Sequence, residues 1–226
     1  MEDRTLAQEL AVQEVAQFSQ KYGSACLRLA YYAAMPLLLT PELLNYLRNR
    51  YLRGETPWTA EIDLLLSPLC HPVDYELYAM KSSVRAYLLS EMRRHVGAEE
   101  IKSVARTLIH YVRHLARINS YLDSHELQAQ QWAAMVYLDE QRPIAVREIA
   151  QAMQAASRMQ ASEGIDTSYF NRAELARLAA ITHQFSSEIV EHQTLVEFAD
   201  VISRLLAGDP ELALPADGYR ITVEGV

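Results

Sequence analysis

The sequence is short of glycine, of cysteine and of positive charge. Only seven of its 226 residues are glycine, which disfavours a glycine-rich all-β fold. The two cysteines, Cys26 and Cys70, lie in apolar runs without a second pair, so they predict reduced core thiols and no disulfide framework. The formal net charge is −8, whereas general nucleic-acid binding needs a sizeable basic surface. These shortages favour a cytoplasmic domain for which nucleic acid is an unlikely partner.

Long apolar runs and catalytic motifs are also missing from the sequence. The longest purely apolar tracts are far shorter than the roughly 20 residues that a membrane span needs, and the first residues lack the basic-then-apolar order of a signal peptide. His110 and His114 have metal-ligand spacing, but no nearby residue supplies a third ligand. Cys70-His71 precedes Pro72, which indicates a helix end and not a nucleophile. We therefore predict no membrane association, no enzymatic activity, no cofactor and no metal.

Good helix formers dominate the composition, which predicts a mainly α fold. Thr40-Pro41 is a strong helix start, because a capping residue precedes a proline at the first helical position. An apolar run from Trp58 to Leu69, with Thr59 as the expected N-cap, leads to an alternating segment at Val73–Tyr78 that has the period of a half-buried strand. A helix, a short strand or hairpin and another helix are typical of a winged-helix-like subdomain, which we place at residues 1–97.

From residue 98 onward, amphipathic helices follow one another with short connections. Residues 101–116 keep an i, i+3, i+4, i+7 apolar rhythm, and Trp132 lies on the apolar side of a later helix as a predicted core anchor. Two capping boxes are predicted, at Asp123 with Glu126 and at Asn171 with Glu174. We predict that residues 98–226 form stacked helical hairpins similar to tetratricopeptide repeats, without a fixed period, and end in a strand at Tyr219–Val223.

Positive charge is concentrated in the middle of the chain. Residues 85–117 carry seven basic and three acidic groups, whereas residues 118–226 carry seven basic and sixteen acidic groups. The candidate partner-binding residues in this segment are Arg85, Arg93, Arg94, Arg106 and Arg113. Such arginines can contact DNA phosphates beside a wing, but the preceding helix carries Glu61 and Asp63 and offers nothing that reads a base edge. We therefore expect them to contact a protein partner or a second copy, and DNA binding is the alternative.

A series of short sequence matches carries a family resemblance. The matching residues are Thr40-Pro41-Glu42-Leu43, Pro57-Trp58, Asp63 to Cys70, Tyr75-Glu76-Leu77-Tyr78, Met80 and Val84-Arg85, followed by Ala129 to Ala134 and Ala173 to Ala180. This pattern resembles an N-terminal module of multidomain bacterial, mainly cyanobacterial, signalling or conflict proteins. In those proteins the module accompanies NACHT-type STAND NTPases, WD-repeat arrays, caspase-like peptidases or formylglycine-generating-enzyme-like domains.

The resemblance implies a non-enzymatic scaffold or adaptor that couples a sensor or nucleotide switch to an effector in bacterial defence or stress signalling. Its expected partner is an effector or sensor protein, or a second copy of the chain. The alternative is a winged-helix nucleic-acid-binding regulator with a helical sensor extension.

Overall fold

Nine α-helices and one three-stranded antiparallel sheet make up the parts of the chain that the computed structural model describes, which are residues 2–118, 124–162 and 167–208. Side chains are described for residues 6–117, 125–157 and 172–208. In chain order the elements are α1 (Glu2–Ala33), β1 (Leu38–Leu39), α2 (Pro41–Tyr51), α3 (Thr59–Leu65), β2 (Cys70–Asp74), β3 (Leu77–Met80), α4 (Ser82–His95), α5 (Ala98–Ile118), α6 (Ser124–Met135), α7 (Arg142–Ser162), α8 (Thr167–Gln184), a 3₁₀ turn (Val190–His192) and α9 (Gln193–Ala207). The prediction of a mainly α fold is confirmed. Within these ranges, every helix is too short or too polar to cross a membrane.

The chain forms two compact units, Met1–Ala134 and Met135–Val226. This division differs from the predicted one after residue 97, because α5 belongs to the first unit. The hydroxyl of Tyr51 in α2 lies 2.6 Å from the hydroxyl oxygen of Thr107 in α5, within hydrogen-bonding distance. The rings of Tyr46 and Tyr111 stack between the same two helices, with centroids 5.4 Å apart. Side chains of α5 therefore complete the packing of α2 instead of starting a separate domain.

The start of α2 follows the sequence signal. Thr40 has extended backbone angles, and its hydroxyl oxygen accepts a hydrogen bond of 3.1 Å from the backbone N–H of Leu43. This bond satisfies one of the amide groups that a helix leaves unpaired at its N-terminus. Pro41 is the first helical residue, and Leu43, Leu44 and Leu47 form the buried side of the helix. The predicted helix start is confirmed.

The sheet has the strand order β1-β3-β2, with Leu38 opposite Ala79 and Cys70 opposite Met80. Of the short strand or hairpin predicted around Val73–Tyr78, the hairpin is the form observed, because the chain turns back at Tyr75 and Glu76. Glu76 has a positive φ of 50°, which lets the chain reverse there. The carboxylate of Asp74 accepts a hydrogen bond of 2.7 Å from the backbone N–H of Tyr75. The strand predicted at Tyr219–Val223 lies outside the described residues.

Helix boundaries differ from the prediction at two caps. Thr59 is the first residue of α3 and not its N-cap, a position that Trp58 occupies without a side-chain hydrogen bond. Asn171 lies inside α8, which begins four residues earlier, at Thr167. The helix α9 ends at Gly208, which takes the left-handed conformation that commonly ends helices, with φ 73°. The capping box that begins at Asp123 lies partly outside the described residues.

Each unit has an apolar core of its own. In the first unit, α1 packs along α4, and a salt bridge of 2.6 Å joins Lys81 to Glu14 at the edge of this contact. Trp132 of α6 is 1% exposed, which confirms that it is buried, and Leu44 of α2 is fully buried. In the second unit, α8 packs against both α7 and α9, and Leu178 and Phe185 are fully buried.

Candidate partner-binding surfaces

Arg85, one of the five candidate arginines, belongs to the core of the first unit. It is 2% exposed, and its guanidinium donates hydrogen bonds to the carbonyl oxygens of Met35, at 2.8 Å, and Pro36, at 3.4 Å. These carbonyl groups follow the C-terminal end of α1, where acceptors without a helical partner are expected and a cation is stabilised. Arg85 therefore stabilises the segment that follows α1. Because its side chain is buried, we remove it from the candidate contact residues.

Arg93 and Arg94 lie in the last turn of α4, and both are exposed. The guanidinium of Arg94 lies 2.8 Å from the carboxylate of Glu91, and the imidazole of His95 lies 3.4 Å from the same carboxylate. A carboxylate between two such groups offsets part of the positive charge at this helix end. This end of α4 is therefore exposed but only weakly cationic.

Arg106 and Arg113 belong to a longer line of basic side chains, which we call the basic row of α5. The basic row consists of Arg106, His110, Arg113 and Arg117, all of them exposed. Their spacing of four, three and four residues places them on one side of the helix. Leu108 and Val112 are buried on the other side. The sequence analysis named Arg106 and Arg113 as contact residues and considered His110 only with His114 as a metal-ligand pair, although the regular spacing of the basic residues marked the row.

A second exposed surface lies on α3. Trp58, Ile62 and Leu66 follow one another at intervals of four residues and are 64%, 49% and 72% exposed, and we call them the apolar row of α3. Ala60, Leu64 and Leu65 of the same segment are buried. The helix therefore has apolar residues on two sides, of which only one is covered. The sequence showed that this run is apolar but not that half of it remains exposed.

The tip of the β2–β3 hairpin is exposed and acidic. Tyr75 is 86% exposed and Val73 is 52% exposed, and both lie beside the exposed carboxylates of Asp74 and Glu76. On α3, the carboxylate of Glu61 accepts a hydrogen bond and forms a salt bridge with the half-buried guanidinium of Arg48. Neither α3 nor the hairpin tip carries an arginine or a lysine. These elements therefore present apolar and acidic groups to solvent.

A small apolar cleft of about 70 Å³ lies inside the first unit, between the sheet, α2, α5 and α6. Most of its lining is aliphatic, and the lining residues include Leu38, Leu43, Leu108 and Val112. Burial raises the pKa of the neighbouring Tyr111, so its phenol remains protonated at neutral pH. The cleft has room for only a few water-sized groups, so it does not match a drug-sized ligand site.

The amide of Gln130 bridges α6 to the chain at β1. Its Oε1 accepts a hydrogen bond of 2.7 Å from the backbone N–H of Leu37, and its Nε2 donates one of 2.8 Å to the carbonyl oxygen of Leu38. Gln130 is 9% exposed, so both bonds are largely shielded from water. This pair of bonds fixes one wall of the cleft.

The residues considered for catalysis or metal binding are Cys70, His71, His110 and His114. Burial raises the pKa of the Cys70 thiol to about 12, which leaves almost no thiolate at neutral pH, whereas His71 is exposed. His110 and His114 are both exposed. The part of the chain that the structure describes contains no group of three or more His, Cys, Asp or Glu side chains that could hold a metal ion.

Comparisons with protein-family models, curated proteins and solved structures find no match to this chain. The apolar row of α3 and the basic row of α5 are the surfaces on which the proposals below are based.

Proposed function

We propose that the chain is a non-enzymatic scaffold or adaptor that binds a protein partner through the apolar row of α3. The observation that carries the proposal is the exposure of Trp58, Ile62 and Leu66 along one side of a single helix. Exposed apolar side chains are common singly, but a contiguous row on a folded unit is typical of an interaction site. The setting that we propose, bacterial defence or stress signalling, rests on the family resemblance of residues 37–92.

The order of elements supports a winged-helix-like arrangement for the start of the first unit. Its helices and strands follow as α1-β1-α2-α3-β2-β3, and β3 lies between β1 and β2 in the sheet. In such an arrangement, α3 and the hairpin would be the elements that approach DNA. DNA phosphates require cations at those positions, but here α3 presents apolar groups and the hairpin tip presents Asp74 and Glu76. This surface chemistry favours a protein partner.

The second unit supports the proposed similarity to helical-hairpin repeats. Its consecutive helices pack as neighbours, α7 with α8 and α8 with α9. Stacks of neighbouring helices commonly form extended binding surfaces in adaptor proteins. We therefore propose a scaffold that combines a winged-helix-like part with a stack of helices.

The test uses the full chain as bait and compares two matched pairs of substitutions. Trp58→Ala with Leu66→Ser removes most of the apolar row, whereas Leu6→Ser with Leu10→Ser removes two other exposed apolar side chains, which are 57% and 50% exposed. A captured protein is purified, and its affinity for each variant is measured by calorimetry. We expect the first pair to weaken binding by about 30-fold or more, because buried aromatic anchors dominate interface energies, and the second pair to have little effect. Equal affinities for both variants would show that the α3 row is not the docking surface.

Nucleic-acid binding is the second candidate, and the basic row of α5 is the observation that favours it. Phosphate-driven binding would be strong at low salt and would fall steeply as salt rises, because each neutralised phosphate releases counterions. We expect no appreciable binding of a DNA duplex near physiological salt. Tight, salt-sensitive binding that Arg106→Glu with Arg113→Glu abolishes would favour the regulator function instead.

A further inference from the structure

We propose that the basic row of α5 is a second docking surface, whose partner is a protein helix with carboxylates in matching register. The proposal goes beyond the apolar row of α3 and shares no residue with it. An adaptor that joins two proteins needs two such surfaces.

The basic row has the geometry of one helix contact. Arg106, His110, Arg113 and Arg117 occupy positions i, i+4, i+7 and i+11 of α5, so the row spans about 16 Å at 1.5 Å per residue. Leu108 and Val112 anchor the opposite side of α5 in the core. The backbone that carries the row is therefore held in place before any partner arrives, which lowers the entropy cost of binding.

The positive charge of the row is not offset along its own helix. Between Ile101 and Arg117, α5 contains no acidic residue. Among the side chains that the structure describes, at residues 6–117, 125–157 and 172–208, none forms an ion pair with Arg106, Arg113 or Arg117. The basic residue nearest the start of the helix differs, since Lys102 lies 3.5 Å from the carboxylate of Glu99. The three arginines can therefore bind an external anion without first breaking a salt bridge to any of those side chains.

The surroundings of the row favour a narrow protein partner over a nucleic-acid duplex. The first unit has 14 basic and 15 acidic residues, so it has no general excess of positive charge. The carboxylates of Glu99 and Glu100 lie at the N-terminal end of the same helix. These neighbouring carboxylates would repel the extended phosphate backbone of a duplex. A single partner helix can contact the basic row alone and avoid them.

Arginine is suited to carboxylate recognition at these positions. Its planar guanidinium can donate two parallel hydrogen bonds to one carboxylate, a geometry that a lysine ammonium cannot form. A partner helix with glutamates at i, i+4, i+7 and i+11 would place one carboxylate opposite each member of the row. Register between the two helices then provides the specificity.

The test measures fluorescence anisotropy of designed probes with the full chain. The first probe is an alanine-based helical peptide of about 18 residues with glutamates at those four positions, and the second carries glutamine at the same positions. A DNA duplex of about the same length as the acidic helix is the third probe. At low salt we expect the glutamate peptide to bind and the glutamine peptide not to bind.

Two charge-reversal pairs test the location of the site. Arg106→Glu with Arg113→Glu should weaken binding of the glutamate peptide by about tenfold or more, because like charges then face each other. Arg147→Glu with Arg172→Glu changes the net charge equally at two exposed arginines of α7 and α8 and should leave the affinity within about twofold. Arg106→Gln with Arg113→Gln should give an intermediate loss.

Three results would overturn the proposal: no binding of the glutamate peptide at low salt, an equal loss from both charge-reversal pairs, or tighter binding of the duplex than of the peptide. If the duplex bound more tightly than the peptide, and Arg106→Glu with Arg113→Glu abolished that binding, the row would be assigned to nucleic acid. None of these results changes the outcome expected for Trp58 and Leu66, so failure of the basic row is distinguishable from failure of the apolar row.

Discussion

The two tryptophans of the first unit have opposite environments. Trp132 in α6 is 1% exposed, whereas Trp58 at the start of α3 is 64% exposed. Both lie in apolar stretches, and both occur at helices that bury some of their other apolar residues. The comparison shows that an apolar helix side becomes core only where another element covers it. An uncovered apolar side remains in contact with water, so the free energy of burying it can still be gained when a partner binds.

Truncation of each tryptophan should produce the largest contrast. Trp132→Ala should lower the free energy of unfolding by about 3–5 kcal/mol, because it leaves a cavity in the core. Trp58→Ala should change it by less than about 0.5 kcal/mol, since the indole is mostly in water already. Urea denaturation followed by far-ultraviolet circular dichroism measures both. Similar losses for the two variants would mean that Trp58 is covered in solution.

The same contrast between buried and exposed positions applies to the arginines. Arg85→Met should cost about 1–3 kcal/mol of stability, because the carbonyl groups of Met35 and Pro36 lose a charged donor while they remain buried. Arg106→Met should be close to neutral, since its guanidinium is exposed. Thermal melts of Arg85→Met and Arg106→Met measure these changes in stability. A neutral effect of Arg85→Met would show that water replaces the guanidinium.

Ionisation of Cys70 should have no effect near neutral pH and should lower the stability of the chain only in alkaline solution. The ordinary pKa of the thiol is 9.0, and burial raises it to about 12 in the folded chain. The unfolded chain therefore loses this proton first, so the stability that Cys70 contributes is complete below about pH 9 and is lost as the pH rises towards 12. Burial also raises the pKa of Tyr32 to about 12. Cys70→Ala should therefore reduce the alkaline loss of stability without abolishing it.

Urea midpoints of the parent chain and of Cys70→Ala at about pH 8 and about pH 10 measure this effect. Iodoacetamide labelling of the folded chain near neutral pH is a second measurement, and it should leave Cys70 unmodified because thiolate is nearly absent. If the stability of the parent chain and of Cys70→Ala had the same pH dependence, and Cys70 was labelled rapidly, the Cys70 thiol would be exposed to solvent.

Features determined by adjacent residues were predictable from the sequence. The cap at Thr40 needs only the N–H of Leu43, three residues away, and the end of α9 needs only the left-handed Gly208. The hairpin was not predictable in the same way. Its turn places Glu76 at positive φ, where no glycine or asparagine marks the reversal. The pairing of its strands, with Cys70 opposite Met80, cannot be derived from the residues of either strand alone.

The candidate site was predictable in part. The exposure of Arg106 and Arg113 follows from the apolar rhythm of α5, whose residues on the opposite side are buried. Arg85 was misplaced although a signal existed, because it shares one side of α4 with Leu88 and Met92 at helical spacing. The apolar row of α3 had no such signal. A sequence pattern identifies apolar residues, but coverage by other elements depends on the fold.

The bridge made by Gln130 has a consequence for aggregation. β1 is an outer strand of the sheet, and strands in that position can recruit extended chains from other molecules. The side chain of Gln130 already uses the N–H of Leu37 and the carbonyl oxygen of Leu38, so those two groups are closed to an incoming strand. On the other outer strand, β2, Pro72 has no N–H to offer. Both outer strands of this small sheet are therefore poor templates for amyloid-like growth.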